Sequence, residues 1–553
     1  MIYKKMFSHK AFVSLIVTVL FSVFILPINE AIAFQLPLYD TKQFVLAGIM
    51  KLLFAVTFFL AFYYALFFVQ KIISKDRFYI EWLKIAGIYL IINVALFILV
   101  YPGFWMWDEL YVQSLAKEYS LVAWQHIFTN IYHTLCLYLI PTGIGVVIIQ
   151  ILGSSFAVGY LTTKIGALLT KKYWLKWIVF ALFLTIPILV NNLYPLRLTA
   201  YSYIELIVLF RVLLLLLNKA VSNKPIIEFS VLSTAIVLLM FWRTEGIFLI
   251  ILLPILAVKL GIYKRANIRK ISTWAATLYI LGILGLSQFA TNYTSDPKYQ
   301  LTAIFNPLAV MVANDATSPN IEKDYQVIEN FKNIEEIKKF ASASSLDALW
   351  SGSSLKEGYE HHLDELKMVY LDLIIHNPLK FLEARWETFI ATNALTDDPT
   401  QVGRGVRFAD RAPGEIKDGY TRFYEENLFS QPLNFDLKLF ITEKLLFLTP
   451  TNEHTESGAR KINEFARYVW TVLPTLLLLS ALGIITLIKK EWPWLLMVAI
   501  EFMRSGLIFI TAPDNFFMYY FPIYMTGSFI VLLYIIFKID THAKKARTKK
   551  KIS

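Results

Sequence analysis

The stretch FVLAGIMKLLFAVTFFLAFYYALFFV, residues 44–69, decides the fold class of this chain. It contains one charged residue, Lys51, and it exceeds the roughly 20 apolar residues that a helix needs to cross a bilayer. A segment in lipid must satisfy its own backbone polar groups, and a helix does so. Residues 44–69 are therefore predicted to form a transmembrane helix.

Similar apolar runs lie on both sides of this stretch. Hydrophobic residues make up 57% of the 553 residues and charged residues only 17%, whereas soluble globular proteins carry about 25% charged residues. We predict twelve spans, at residues 11–28, 44–69, 85–100, 137–160, 177–190, 198–217, 229–242, 247–260, 271–289, 468–488, 494–510 and 516–537. The first is expected to stay as an uncleaved anchor, although residues 31–33 resemble a signal-peptidase site.

Basic residues gather in short clusters between the apolar runs and near the C-terminus. The positive-inside rule places residues 71–84, 164–176 and 544–551 in the cytoplasm, together with both termini. The net charge of +12 therefore reflects membrane topology, and no nucleic-acid partner is expected. The only cysteine, Cys136, excludes an internal disulfide and a cysteine-based metal site.

The spans divide the chain into domains. The predicted units are an N-terminal membrane module at 1–289 with its first large external loop at 101–136, an extracytoplasmic domain at 290–467, a C-terminal membrane module at 468–537, and a basic cytoplasmic tail at 538–553. The predicted fold class is thus an all-α polytopic membrane protein of about twelve transmembrane helices with a mainly helical extracytoplasmic domain.

Apolar spacing inside the extracytoplasmic domain predicts three helices, at residues 324–340, 359–376 and 378–393. The third begins with a proline, and its apolar residues are expected to rest on the membrane surface. Residues 396–420 combine Gly, Pro, Asp and Arg and are expected to form a loop.

Charged residues in or beside the spans are candidates for function. A charge at the centre of a membrane helix costs roughly 2.5–3.5 kcal/mol on insertion scales. The candidates fall in the half of the membrane that is predicted to be external: Asp108, Glu109, Arg197, Glu205, Arg243, Glu245, Glu501 and Arg504. Their convergence on one side predicts a polar cavity in the outer leaflet.

Structural interpretations of the same residues stay open. Glu501 and Arg504 are spaced i,i+3 and suit a structural ion pair. Arg243 suits an interfacial anchor that pairs with its neighbour two residues on. Arg197 and Glu205 lie on one helix face, where a packing network explains them equally well, and the acids at 108–109 suit a solvated loop.

Four motifs resemble the GT-C superfamily, polytopic enzymes that take a sugar from a polyprenyl-phosphate carrier. The motifs are Tyr-Pro-Gly-Phe-Trp-Met-Trp-Asp-Glu at 101–109, Trp-Gln-His at 124–126 followed by Thr129, Arg-Thr-Glu-Gly at 243–246, and Pro-Asp-Asn-Phe-Phe-Met-Tyr-Tyr-Phe-Pro at 513–522. They resemble an acidic motif, a Trp/His helix, an outer turn and a penultimate loop of bacterial dolichyl-phosphate-mannose-mannosyltransferase-like members. The likeness runs loosely over spans three to twelve.

Two positions depart from this pattern. Ile127 follows His126 where the family usually has a proline, and Asp514 and Asn515 stand where many members carry an arginine. The phosphate of the carrier is therefore expected to meet Arg243 or Arg504 instead.

The resemblance implies a glycosyltransferase site on the outer face of the cell membrane. Asp108 is expected to be the catalytic base, and Glu109 to assist it or to bind a metal. The substrate-binding residues that it implies are His126, Arg197, Arg243, Glu245, Arg504 and Tyr519. No cofactor is assigned, and a divalent cation, Mg²⁺ or Mn²⁺, stays open.

The expected partners are a lipid-linked glycan donor, membrane lipid, and an envelope glycan, glycolipid or protein acceptor. Other functions stay open: a polymer ligase or polymerase that uses a lipid-pyrophosphate carrier for teichoic acid or polysaccharide, a lipid-linked glycan transporter or flippase, and a non-catalytic scaffold. A transporter predicts inverted repeats, and the sequence contains none that we detect.

Two further clusters have a structural and a functional interpretation. His361, His362, Asp364, Glu365 and His376 suit a metal site, although a solvated helix face explains them better. The loop arginines Arg404, Arg407 and Arg411 suit an anionic polymer, although a solvated loop is the stronger interpretation.

Overall fold

The computed structural model describes residues 2–38, 40–105, 107–264, 271–393, 395, 432–447 and 465–552, with side chains for these residues from 9 to 542 except at 107. This part of the chain is helical and contains no strand; one isolated bridge joins Ala123 to Ser295. The loop predicted at 396–420, with Arg404, Arg407 and Arg411, lies outside the described residues.

Thirteen α-helices are found among the described residues of the N-terminal half. They are α1 (Ile2–Leu20), α2 (Leu26–Ala33), α3 (Thr41–Ile73), α4 (Arg77–Leu99), α5 (Trp107–Lys117), α6 (Ile127–Leu139), α7 (Gly145–Leu168), α8 (Lys176–Phe183), α9 (Ile186–Asn192), α10 (Arg197–Leu216), α11 (Pro225–Trp242), α12 (Leu252–Lys259) and α13 (Ile271–Thr294). A π-helical turn, Phe21–Ile25, joins α1 to α2, and a 3₁₀ segment, Thr244–Ile251, leads into α12.

Helices α14 to α19 form a separate unit. They are α14 (Pro297–Ala313), α15 (Ile321–Glu329), α16 (Ile334–Lys339), α17 (Asp347–Trp350), α18 (Leu363–His376) and α19 (Pro378–Thr392). Their own apolar core includes Phe305, Phe331 and Leu366, none of which is exposed. The helices predicted at 359–376 and 378–393 are confirmed, whereas the predicted helix 324–340 is broken, because the Asn333 side chain accepts from the Glu335 amide and starts α16.

The C-terminal part returns to the bundle. Its helices are α20 (Phe435–Phe440), α21 (Ala466–Val469), α22 (Leu473–Ile488), α23 (Trp492–Thr511) and α24 (Phe521–Ile552). Helix α24 continues through the predicted tail. The α14–α19 unit is fixed to this part, because Arg385 donates to the Ala512 carbonyl at 2.7 Å and the Asn393 side chain accepts from the Val472 amide at 2.8 Å.

Ten helical segments in the described chain are long and apolar enough to cross a membrane, or eleven if a bent pair is one span. By length and composition the described residues thus support ten or eleven of the twelve predicted spans. Span five is α8 and α9, bent by 63° where Pro187 starts a new helix. Span eight is a 3₁₀ segment followed by the eight residues of α12, and it does not meet the length.

Basic clusters meet at one end of the helix bundle, which we call the basic end. The Asp540 carboxylate accepts from the backbone amides of residues 170–172 at 2.8–3.0 Å. Lys176 pairs with Glu81, and Lys219 lies 4.4 Å from the centre of the Phe537 ring. The sequence motifs lie at the opposite ends of these helices, which we call the motif end.

A topology test follows from two exposed positions in this structure. A cysteine at Glu322, in the α14–α19 unit, should react with an impermeant thiol reagent in intact cells. A cysteine at Lys84, in a predicted cytoplasmic cluster, should react only after lysis. Native Cys136 is buried and gives little background. Protection of the first site and labelling of the second in intact cells would reverse the predicted orientation.

Candidate functional site

Asp108 and Glu109 lie in the first turn of α5, where the helix dipole favours negative charge. One carboxylate oxygen of Asp108 accepts from Trp124 Nε1 at 3.1 Å, and the other accepts from Gln125 Nε2 at 3.2 Å. Burial raises the pKa of Asp108, although these two hydrogen bonds and the nearby Arg197 guanidinium oppose that rise. Glu109 is buried beside it.

The loop that carries Trp124 and Gln125 is fixed on both sides. The Ala123 amide donates to the Thr294 carbonyl at 2.7 Å, which ties the loop to the end of α13. Gln125 has a φ of 70°, a left-handed conformation that is strained for a residue with a side chain. Such strain is often found at functional sites. In this conformation the side-chain amide of Gln125 contacts Asp108.

His126 caps α6. Its Nδ1 accepts from the Phe128 amide at 3.2 Å, so Nε2 carries the proton and donates to Thr291 Oγ1 at 2.9 Å. Burial, and then the Arg197 charge, lower the pKa of His126 to about 4. The ring is therefore neutral and both nitrogens are in use.

No metal centre is apparent in the described part of the chain, where no three His, Cys, Asp or Glu side chains converge as ligands. His133 lies two helical turns after His126 and is buried. Its burial lowers the pKa of the imidazole to about 4. In the 361–376 cluster, His362 pairs with Glu365 at 2.8 Å on the surface. The solvated-face interpretation of that cluster fits this arrangement.

Arg197 is the first residue of α10, and its guanidinium contacts only neutral oxygens. Nη1 donates to the carbonyls of Gln125 at 3.0 Å and Trp242 at 2.7 Å, and Nη2 donates to the Tyr299 hydroxyl at 2.7 Å. Gln125 thus joins Arg197 to Asp108 through its backbone on one side and its side chain on the other. None of the ion pairs formed among the described residues includes Arg197.

The other two candidate arginines are paired with carboxylates. Arg243 pairs with Glu245 through Nε. Arg504 Nη1 lies 2.5 Å from a Glu205 carboxylate oxygen and 3.2 Å from one of Glu501. The structural interpretations of Arg243–Glu245 and Glu501–Arg504 are therefore both realised, and each arginine is charge-compensated.

The two pairs form one buried network. The Tyr201 ring lies between the arginines, with its centre 5.9 Å from the Arg243 guanidinium and 6.0 Å from that of Arg504. Thr526 donates to Glu501 at 3.0 Å. The network holds three glutamates, at positions 205, 245 and 501, against two arginines, and all five are at most 9% exposed.

The penultimate loop also reaches the motif end. The Tyr519 hydroxyl lies close enough to interact electrostatically with Asp514, Asp108, Tyr299 and Arg243. Asp514 is itself buried, at 4% exposure. Five of the predicted site residues thus lie around the 124–126 loop: Asp108, Glu109, His126, Arg197 and Tyr519. The Arg243–Glu245 pair lies next to them, and Tyr201 connects that pair to Arg504.

Two site residues were missed in the sequence. Tyr299 binds Arg197, and its ring centre lies 5.1 Å from that of Trp124 in an edge-to-face arrangement. The Trp350 ring centre lies 6.2 Å from that of Trp124. Neither residue belongs to a motif, and both come from the α14–α19 unit, so local sequence carried no signal for them.

Comparison with protein-family models, with curated proteins and with solved structures finds no match to this chain. The class is therefore defined by the structure: an all-helical chain whose many apolar helices are those of a multi-pass membrane protein. The helices carry a polar site at their motif end, and the α14–α19 unit contributes to that site.

Proposed function

We propose that this chain is a membrane glycosyltransferase of the GT-C type. It moves a sugar or glycan from a polyprenyl-phosphate-type lipid carrier to an envelope glycan, glycolipid or protein at the outer face of the cell membrane. The observation that supports it most is the Asp108 carboxylate, which is held by Trp124 and Gln125 and linked through Gln125 to the Arg197 guanidinium. That guanidinium forms no ion pair among the described residues.

The proposed reaction uses these two groups in complementary roles. The acceptor hydroxyl oxygen forms a bond to the anomeric carbon of the donor sugar, and the bond from that carbon to the phosphate oxygen breaks. Asp108 accepts the hydroxyl proton, which general-base catalysis requires. The negative charge that develops on the lipid phosphate is stabilised by a fixed cation, and preorganised charge is often the largest catalytic contribution.

We assign that cation to Arg197 rather than to Arg243 or Arg504. A phosphate approaching Arg504 would meet a buried network in which carboxylates outnumber guanidinium groups by three to two. Among the described residues Arg197 donates to neutral oxygens only, so an approaching phosphate would not have to displace a carboxylate from it. Its charge also acts on the nearby Asp108. Its planar fork also suits phosphate better than an ammonium group does.

The sequence leaves a divalent cation open, and the proposed mechanism does not route a step through one. A polymer ligase or polymerase would use the same residues with a lipid-pyrophosphate carrier. A flippase is the one competitor that a specific feature favours, because Glu205, Glu501 and Arg504 are buried inside predicted spans.

Lipid profiling of a strain that lacks this chain separates these functions. Loss of a transferase should accumulate a polyprenyl-linked sugar or glycan that is exposed at the outer leaflet, with the matching envelope product missing. Loss of a flippase should trap the same donor on the inner leaflet. An unchanged lipid and glycan profile would contradict both.

The assignment of the phosphate to Arg197 gives a sharper prediction. Arg197→Lys keeps the charge but loses the fork geometry, and we expect transfer to fall roughly 10- to 100-fold, the worth of one or two charged hydrogen bonds. The measurement is product formed per unit of membrane-inserted protein in the complemented deletion strain.

Arg243→Lys is the matched control, because its arginine already pairs with Glu245. We expect that variant to stay within a few-fold of the unmodified chain. The assignment is wrong if the two variants behave in the opposite way at equal abundance.

A further inference from the structure

Trp350 is an exposed aromatic side chain beside the candidate site. Its indole is 52% exposed, although it sits at the end of α17 between the buried Leu349 and a polar segment, residues 351–354. A single exposed apolar ring is common on protein surfaces, so what distinguishes Trp350 is the residue that its ring contacts.

The Trp350 ring is adjacent to the candidate site. The Trp350 and Trp124 ring centres are 6.2 Å apart, and Trp124 donates its indole N–H to Asp108 at 3.1 Å. Tyr299 packs edge-on to Trp124 on another side, at 5.1 Å. Trp124 is buried, at 8% exposure, and its ring is tilted by 54° to that of Trp350. The exposed ring of Trp350 is therefore one aromatic contact away from the carboxylate that we propose as the base.

We infer that the exposed Trp350 ring, which packs against the buried Trp124 ring, is a platform for a sugar ring of the glycan acceptor. This inference rests on the proposed function and adds the class of acceptor and the place where it binds. The apolar face of a pyranose suits an aromatic surface, while its hydroxyls need nearby polar groups. Asp108 and Gln125, both partly exposed, supply such groups at the inner end of the platform.

The bilayer is the other surface that an exposed tryptophan commonly meets. Trp386 shows what that arrangement looks like in this chain: it is 56% exposed, and Leu379 and Leu382 are exposed along the same face of α19. The residues that follow Trp350 are instead small or polar, namely Ser351, Gly352, Ser353 and Ser354. The platform therefore suits a polar ligand with one apolar face, and a sugar has that character.

The acceptor and the donor are expected to bind at different places. The donor phosphate is assigned to Arg197, and its lipid must remain in the bilayer. Trp350 belongs instead to the α14–α19 unit, whose helices lie outside the candidate spans. A water-soluble or surface-bound glycan reaches that side directly.

The test measures transfer at varied acceptor concentration in membranes of the deletion strain that carry each variant. Lipid extract of the same strain is the donor source, and hydrolysed envelope glycan is the acceptor. Trp350→Ala should raise the half-saturating acceptor concentration roughly 3- to 10-fold, the effect of losing one aromatic stacking contact, with little change in maximal rate. Trp350→Phe should restore most of the affinity.

Trp386→Ala is the matched control, because it removes an equally exposed indole whose ring packs on Phe389 instead. Unchanged acceptor saturation in Trp350→Ala, or an equal change in Trp386→Ala, would overturn the platform while leaving the transferase intact. Reduced membrane abundance without a saturation change would mean a structural role only and would also overturn it. If the deletion strain accumulates no lipid-linked donor, the proposed function itself fails and the platform fails with it.

Discussion

Replacing Asp108 by Asn is expected to lower transfer by roughly 10²- to 10⁴-fold, the usual worth of a general base. Asparagine has nearly the same shape, so it can still accept from Trp124 Nε1 or Gln125 Nε2, but it cannot take the acceptor proton. The protein should therefore insert and fold normally. Product per unit of inserted protein, in the complemented deletion strain, measures the loss.

Glu109→Gln is the natural control for this variant, since it changes the adjacent buried carboxylate. A smaller loss is expected there, because Glu109 is assigned at most a supporting role. Near-normal transfer in Asp108→Asn together with a dead Glu109→Gln would move the base by one residue. Normal transfer in both would remove the main support for a transferase.

The pH dependence of transfer carries a second signature of Asp108. The base acts in its ionised form, so activity is present above its pKa and is lost as the pH falls through it. Burial raises that pKa, so the acid limb should lie above the pH at which an ordinary aspartate titrates. Trp124→Phe removes one hydrogen bond to the ionised form and should move the limb to higher pH.

The sequence was sufficient for the helices that are long and uniformly apolar. Hydropathy also predicted a less apolar region between α13 and α21, and the described part of that region contains α14–α19, which lie outside the candidate spans. Two predicted spans, at 177–190 and 247–260, are short and are not single continuous helices, and the cause is local. Pro187 starts a second helix in the first, and a 3₁₀ segment replaces most of the second. A hydropathy profile does not distinguish these cases from a continuous helix.

The site was less predictable, because its decisive contacts join residues that are distant in sequence. Spacing i,i+3 revealed the pair Glu501–Arg504, but the partner that lies nearest to Arg504 is Glu205, on a different helix. The sequence also did not predict that His126 caps a helix, because a capping histidine and a ligand-binding histidine cannot be distinguished by sequence alone. The partners of Arg197 become visible only when the 124–126 loop and Tyr299 are brought together in space.

The three arginines differ in their partners, and we therefore assign them different roles. Arg243 and Arg504 have carboxylate partners and belong to the support of the site, whereas Arg197 has neutral partners and faces the acidic motif. Buried ion pairs give little net stability but are strongly destabilising to break. Variants that remove the charge of a supporting arginine should therefore destabilise the protein, and variants of Arg197 should lose transfer with the protein intact.

Arg504→Gln is accordingly expected to destabilise the protein by roughly 3–5 kcal/mol, because it leaves Glu205 and Glu501 buried without their shared cation. Glu205→Gln should be close to neutral, since it reduces the network to two carboxylates and two guanidinium groups. The measurements are the thermal unfolding midpoint of the detergent-purified chain and its abundance in the membrane.

The double variant Arg504→Gln, Glu205→Gln removes one charge of each sign from a pair that is 2.5 Å apart. It should recover part of the loss seen in Arg504→Gln alone, because residues that share one network do not contribute additively. If Arg504→Gln keeps a normal midpoint, or if Glu205→Gln is as damaging as Arg504→Gln, the network is not held by charge balance. Arg504 would then be free to bind phosphate, and the assignment of that role to Arg197 would lose its basis.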